Sequence, residues 1–292
     1  MSLRGSPIRP RVWCFTPNPV LEKKICATSG RVIWCAGGKG HNTAAQLHAW
    51  GVPVCSVIAC RGETARHWRE EADVEGVKTV EISVEAPMRR GWAWVHEGHE
   101  RMDFFISDPK INPRDWVRIR NFWKRVLRKG DRWVIAGSSA TGWPRGWWKK
   151  LILDLQKKGV TVLVDSRGAL LQEAIQAGAD WIKCNLQEAV GTTGKKGIAG
   201  SLPNLLGEGT TGAVVTMGKH GLEAIVNGTR LFIPAPKVKV KDPTGSGDVV
   251  TAVLIHGEIR GWTMERTLRN ATRAGAWKAR GIGNVAKSVL RG

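Results

Sequence analysis

The sequence contains no tyrosine, and only 25 of its 292 residues are acidic, against 45 Lys and Arg. It has no stretch approaching the ~20 uninterrupted apolar residues that a membrane-spanning helix needs, and the start "MSLRGSPIRPRVW" lacks the apolar core of a secretory signal. The expectation is therefore a soluble, cytoplasmic protein with no membrane partner. Six cysteines (Cys14, Cys26, Cys35, Cys55, Cys60, Cys184) form no C-x-x-C pair and have no histidines at metal-ligand spacing, which argues against a zinc site. Most lie in apolar segments, where a free thiol behaves as a small buried hydrophobe, and they fit a reducing compartment. No G-x-x-x-x-G-K-[ST] occurs, because "GTTGKKG" (191–197) has the wrong spacing, and no dinucleotide G-x-G-x-x-G follows the first strand. P-loop and dinucleotide folds are set aside on that ground.

What is present is ordinary globular composition, 42% hydrophobic and 24% charged, with 15 Trp. The net charge of +20 suits either a nucleic-acid binder or an enzyme of phosphorylated substrates. Its basic residues are scattered, with short clusters such as "RRG" and "WWKK" and no basic tail, so no specific nucleic-acid partner is expected. The length allows one large domain or two modest ones. With no internal repeat and no low-complexity linker, a single domain over 1–292 is expected.

Short apolar runs alternate with amphipathic ones. Strands are predicted at 12–16, 52–60, 132–137, 160–165, 180–184 and 212–218, and helices at 41–51, 63–76, 112–128, 144–158, 168–177, 187–191 and 196–206. Strands apolar nearly throughout are buried on both faces, as in a parallel sheet covered by helices. That pattern gives an α/β fold of three layers. "RRGWAWVHEGHERMDFFIS" (89–107) alternates around "HEGH" and reads as a hairpin that leaves the main sheet as a flap, or as a surface hairpin with no role.

Three Gly-rich or capped segments carry chemistry. In "TGSGD" (244–248), Gly245 and Gly247 let the backbone around Ser246 aim its N–H groups at one point, and the following helix adds its positive end. Such a nest stabilises a phosphate, and Asp248 would reach a hydroxyl approaching it. A Gly-rich turn with an acid favouring the helix dipole is the plainer account. "AGGKGHN" (36–42) offers Asn42 to a polyhydroxylated ligand, or merely caps a helix. "NLQE" (185–188) opens a helix after a strand, where Asn185 and Glu188 share a face that could hold a hydrated Mg²⁺, or form a capping box.

In this order and spacing, "AGGKGHNTA", "AGSSATGWP", "VDSRGALLQEA", "DWIKCNLQEA", "VVTMGKHG" and "DPTGSGDVVTA" resemble the ribokinase-like (PfkB) carbohydrate kinases over nearly the whole chain. The early Asn18-Pro19 pair is similar to the hexose-phosphate branch, which includes 1-phosphofructokinase, 6-phosphofructokinase and tagatose-6-phosphate kinase. The resemblance implies a three-layer αβα domain with a mostly parallel central sheet and a small β-lid, built from about 20–36 and 88–107. It implies ATP and Mg²⁺ as cofactors and a sugar phosphate as acceptor. Asp248 would be the base, and the Gly245–Gly247 amides, including that of Ser246, the anion hole. Glu22, Gly38, Lys39 and Asn42 would face the sugar, and Ser138 with Arg89 or Arg90 would grip its phosphate. Lys183, Asn185, Thr216, Gly218 and Gly221 would line the ATP site, with Asn185 and Glu188 near the metal through water.

Five departures from the family pattern stand out. Glu22 replaces the Asp usual after "NPxL", one methylene longer. The segment between Glu22 and Gly37 is about ten residues shorter than usual, which implies a trimmed lid and a weakened homodimer. Cys184 stands for a Pro, and Val249 and Val253 for small residues. The leading expectation is an ATP-dependent kinase of a ketohexose phosphate, fructose 1-phosphate or fructose 6-phosphate. The alternatives are a kinase for another sugar, a diverged sugar-phosphate or nucleotide sensor without turnover, and a nucleic-acid binder.

Overall fold

The structure, a computed structural model, describes residues 11–26, 29–95, 102–106 and 108–281. The fully buried strand β1 (Val12–Thr16) leads out of the core into β2 (Val20–Cys26) and β3 (Val32–Gly37), and α1 (Lys39–Ala49) brings the chain back. After β4 (Val54–Cys60), α2 (Glu63–Val74) and β5 (Thr79–Ser83), the chain leaves again through β6 (Arg89–Val95) and β7 (Met102–Phe105). It returns by α3 (Pro113–Val126) and then alternates: β8 (Arg132–Ala136), α4 (Trp147–Lys157), β9 (Thr161–Asp165), α5 (Gly168–Gln176), β10 (Trp181–Asn185) and α6 (Leu186–Thr193). A short α7 (Gly197–Ser201) precedes β11 (Gly212–Thr216), β12 (Leu222–Val226) and β13 (Thr229–Ile233), and α8 (Ser246–Ile259) and α9 (Met264–Ala279) follow.

Nine strands form one sheet in the order β13-β12-β11-β10-β9-β8-β1-β4-β5. It is parallel from β11 to β5, with β12 and β13 added antiparallel at one edge. Helices cover both faces, giving the ribokinase-like αβα architecture. β4 is buried at every position, "VCSVIAC", as a central parallel strand must be. One face carries an aromatic core in which Phe15, Trp123, Trp133 and Trp148 are buried, with ring centroids 5.1 Å apart for Phe15–Trp123 and 5.0 Å for Trp123–Trp133. On the other face lies α8, buried from Asp248 to Gly257 and packed on α1 and α9. Gly257 permits the close α8–α9 crossing, since a Cβ there would meet the Thr267 Oγ1 at 2.5 Å. Val249 and Val253 are wholly buried in this layer.

The second sheet has the order β3-β2-β6-β7. It is the lid, with strands at 20–26, 32–37, 89–95 and 102–105. The short stretch after Glu22 makes a tight return, with Cys26 N–H donating to Arg31 C=O and Gly30 N–H to Cys26 C=O, so both strands survive. β6 and β7 pair antiparallel as the predicted hairpin, whose "HEGH" turn lies outside the described residues.

Most element boundaries fall within a few residues of expectation, and the differences have local causes. α1 starts at Lys39, before the predicted residue 41, and Gly51 at φ 75° ends the turn after it. α4 starts at Trp147 because Gly146 at φ 81° cannot continue a helix from Pro144. The predicted helix 196–206 breaks at Pro203, which begins a separate 3₁₀ turn, Pro203–Leu205. β5, β12 and β13 were not anticipated, since their half-exposed patterns carry polar residues such as Glu81, Glu223 and Arg230.

Candidate active site

Strand order reverses between β1 and β8: the chain builds outward from β1 to β5, then returns to place β8 on the other side of β1. In open parallel sheets, ligands bind at such a switch point, beyond the carboxyl ends of the strands. A cleft of about 260 Å³ lies there. Its floor comes from the ends of β1 (Thr16), β8 (Gly137, Ser138) and β9 (Ser166, Arg167), and from the starts of α1 and α8. Its roof is the lid, through Val20, Glu22, Arg89 and Phe105.

Asp248 stands in the first turn of α8 and is buried. Gly245, at φ 80°, caps the helix in a left-handed conformation with no side chain bonded to the first-turn amides. Ser246 Oγ is buried without a partner, and a Cβ on Gly247 would meet Lys183 Nζ at 2.9 Å. The Ser246 N–H is taken, donating to the Pro243 carbonyl at 3.1 Å, and the uncapped helix start stands beside a buried ammonium, a setting for an anion. Asn42 Nδ2 donates to Asp248 Oδ2 at 2.7 Å, and Thr43 Oγ1 donates to the Asp248 carbonyl at 3.4 Å. Asn42 Oδ1 is buried without a partner. Burial first, and then the nearby Asp165 charge, hold the Asp248 carboxyl above the usual carboxylate range, against the pull of Lys39, Asn42 and Lys183.

Beneath this turn lies a cluster centred on Asp165, which is wholly buried at the end of β9. Its Oδ2 accepts from Lys183 Nζ at 2.8 Å and from Thr251 Oγ1 at 2.7 Å, while Lys39 Nζ lies 3.2 Å from Oδ1. Burial alone would raise Asp165, but Lys183 and Lys39 outweigh it and hold its pKa down. Lys39 also donates to Glu188 Oε1 at 3.1 Å. Burial pulls Lys39 down, yet Asp165, Glu188 and Asp248 together push it up, so it stays an ammonium.

The structure brings Glu22, Gly38, Lys39, Asn42, Arg89, Ser138, Glu188, Gly245 and Asp248 into one cleft. Neighbouring residues of β6 separate the two arginines. Arg89 lines the cleft and donates to Asp108 Oδ1 at 2.9 Å. Arg90 points to the opposite face, where its Nε donates to Thr64 Oγ1 at 3.0 Å on α2. Arg90 is thereby corrected as a cleft residue, for the alternation of a strand allows only one of the pair inward. Glu22 is buried, with Lys24 Nζ 3.8 Å from its Oε2.

Asn185 and Glu188 make a reciprocal capping box, Glu188 N–H to Asn185 Oδ1 and Asn185 N–H to Glu188 Oε2, each 2.9 Å. Only Glu188 lines the cleft. Thr216 lies beside Asn185 in the β10–β11 register and bonds Cys184 C=O at 3.4 Å. Gly218 and Gly221 sit beyond it and do not line the cleft; a Cβ on Gly221 would meet the Ile233 carbonyl at 2.1 Å, so packing alone requires that glycine. Likewise Gly38 and Gly40 are pressed against Thr16 and the Phe15 carbonyl, so "GGKG" serves the packing of α1 on β1.

Sequence reasoning missed Asp165 and Arg167. Each ends or follows an apolar strand, "VTVLVD-SR", the place where the switch-point rule puts ligands, and that was the available signal. Among the described residues no three acidic, His or Cys side chains converge as a protein-only metal cage.

The parallel sheet covered by helices, with a small second sheet over its cleft, is the ribokinase-like αβα architecture. The family model for pfkB family carbohydrate kinases matches residues 28–288, and the chain belongs to that family. Among solved structures, the tetrameric inhibited form of phosphofructokinase-2 from Escherichia coli is similar at 20% identity and TM-score 0.83, covering 92% of this chain and 94% of that one. The same enzyme in complex with fructose-6-phosphate is similar at 19% identity and TM-score 0.81, over 93% of each chain. A protein from Thermotoga maritima described as a possible 1-phosphofructokinase is similar at 18% identity and TM-score 0.80, over 94% of this chain and 93% of that one. At these identities the likeness establishes the fold.

Proposed function

We propose that this protein is a single-domain, ATP- and Mg²⁺-dependent kinase that phosphorylates a hydroxyl of a ketohexose phosphate, fructose 1-phosphate or fructose 6-phosphate. The observation that carries the reading is the buried Asp248 in the first turn of α8, which no side chain caps, with Asn42 holding one carboxylate oxygen at 2.7 Å. ATP with Mg²⁺ supplies the transferable phosphoryl group and neutralises part of its charge. Asp248 accepts the proton of the acceptor hydroxyl, and its raised pKa makes it a stronger base than an ordinary carboxylate. Asn42 fixes the carboxylate and offers its free carbonyl to a sugar hydroxyl. The amides around Ser246, together with Lys39 and Lys183, hold negative charge in place without reorganisation. Lys183 and Asn185, with Thr216 further along the sheet edge, border the nucleotide. Glu22 and the lid close over the sugar and exclude water, and Ser138 and Arg89 meet the sugar's own phosphate.

A second copy of the chain is the expected partner. On the lid face opposite the cleft, Trp34, Lys23, Trp92 and Phe104 stand in one row across all four strands, with Val32, Ile25 and Trp94 in the next. Phe104 is 62% exposed and Trp94 41%. A contiguous aromatic face of this kind calls for a partner surface, and the short lid loop leaves it intact. A coupled ADP-release assay over fructose 1-phosphate, fructose 6-phosphate, tagatose 6-phosphate, ribose and nucleosides tests the kinase reading. Turnover of a ketose phosphate supports it. Ligand binding with no ADP formed from any of them identifies a sensor instead.

A further inference from the structure

Arg167 caps α5 at the end of β9, with an extended backbone and no side-chain cap bond. It lines the cleft with Arg89, Ser138 and Phe105. Among the described residues no carboxylate pairs with the Arg167 guanidinium. Arg89, across from it on the lid, has one acid, Asp108, whose same oxygen also accepts from Asn18 at 2.8 Å. The Arg89 Nε is buried without a partner, and its ring-facing side rests on Phe105 with the guanidinium 4.8 Å from the centroid. Burial, and then the repulsion of Arg167, weaken the hold of Arg89 on its proton, against the pull of Asp108. Two guanidiniums, one from the lid and one from the start of α5, thus face one cleft; Asp108 bonds Arg89, and Glu22 draws on it more weakly. A phosphate dianion offers three oxygens, enough for both planar forks, and removes the repulsion.

We propose that Arg167, together with Arg89, forms the site for the phosphate already present on the acceptor sugar, so that a bound phosphomonoester ties lid strand β6 to the end of β9. The assignment rests on the sugar-phosphate kinase reading above and adds its specificity element. Arg167 belongs to the main body and Arg89 to the lid, so an unphosphorylated sugar leaves the lid untied. Discrimination against it then comes from closure as well as from lost contact.

The test compares wild type with Arg167→Gln and Arg167→Lys, after thermal melts confirm that each variant is folded. KM is measured for the ketose phosphate, for ATP and for unphosphorylated fructose, and fructose 6-phosphate binding is measured calorimetrically without nucleotide. Loss of a charge-assisted bidentate contact is expected to raise the ketose-phosphate KM roughly ten- to hundredfold in R167Q. The loss for fructose should be at least about tenfold smaller, with R167K in between. An unchanged ketose-phosphate KM, or a larger rise for ATP, overturns the assignment while leaving the kinase reading standing. Should wild type release no ADP with any sugar phosphate, the kinase reading fails by itself. Calorimetry then decides the clamp: wild-type binding lost in R167Q supports it, and equal or absent binding refutes it.

Discussion

Asp165→Asn removes the one negative charge shared by Lys183, Lys39 and Thr251 beneath the anion-binding turn. Asp165 is 0% exposed and the Lys183 side chain 2%, with 2.8 Å between their charged atoms. In the variant Thr251 can still donate to the amide oxygen, and Lys39 keeps Glu188 at 3.1 Å. Lys183 loses its only bonded carboxylate and keeps just the more distant pull of Asp248. Breaking a buried pair by neutralising one partner costs about 3–5 kcal/mol, which at roughly 2.1 cal/mol/K of unfolding entropy per residue lowers the melting temperature of a chain of this size by roughly 5–8 °C. Replacing both partners together, in Asp165→Asn with Lys183→Met, removes the stranded charge and should recover most of that loss. Urea unfolding of the four proteins of the cycle, followed by tryptophan fluorescence, reads the coupling directly. A single variant within about 1 kcal/mol of wild type, or a double variant no better than the single, would refute the view that Asp165 is the charge centre of the site.

Three further outcomes follow from the same geometry. Asp248 must be ionised to accept a proton, and its pKa is raised, so the acid limb of kcat/KM should lie at higher pH than an ordinary carboxylate gives. Lys39→Met takes away a cation that holds this pKa down, and a limb that stays put or moves to lower pH would speak against Asp248 as the base. Replacing both Trp34 and Phe104 by Ser, on the face of the lid away from the cleft, should turn a dimer into a monomer in light scattering; an unchanged mass would place the interface elsewhere. Burial pushes the Cys55 and Cys184 thiols up to about 12 and that of Cys35 to about 11. Native protein at pH 8 should therefore leave Cys14, Cys55, Cys60 and Cys184 untouched by a thiol reagent that modifies all six cysteines in denaturant, and fast native labelling of those four would contradict the packing.

The parallel core was legible because strands buried on both faces read as unbroken apolar runs: "VWCFT" and "VPVCSVIAC" announce β1 and β4 with no help from context. The edge strands β12 and β13 were not, since "LEAIV" and "TRLFI" mix polar and apolar residues as edge strands do. Asp248 could be found because glycines and a helix start surround it. Asp165 offered only its place at a strand end, for its importance comes from Lys39, Lys183 and Thr251, which lie 126, 18 and 86 residues away. Arg89 and Arg90 show the same limit at a single position. Composition places both in a lid strand, and only the register of β6 against β2 decides which one meets the substrate.

The central claim, that Asp248 is the base of an ATP-dependent ketose-phosphate kinase, is tested most directly by ADP release from wild type and Asp248→Asn with fructose 6-phosphate and with fructose 1-phosphate. The account predicts turnover by wild type on one of them and a loss of about 10²- to 10⁴-fold in kcat in a variant that melts no lower, since a buried acid of raised pKa is a burden on the folded state at neutral pH. A folded Asp248→Asn protein that turns over either sugar phosphate at the wild-type rate would contradict it.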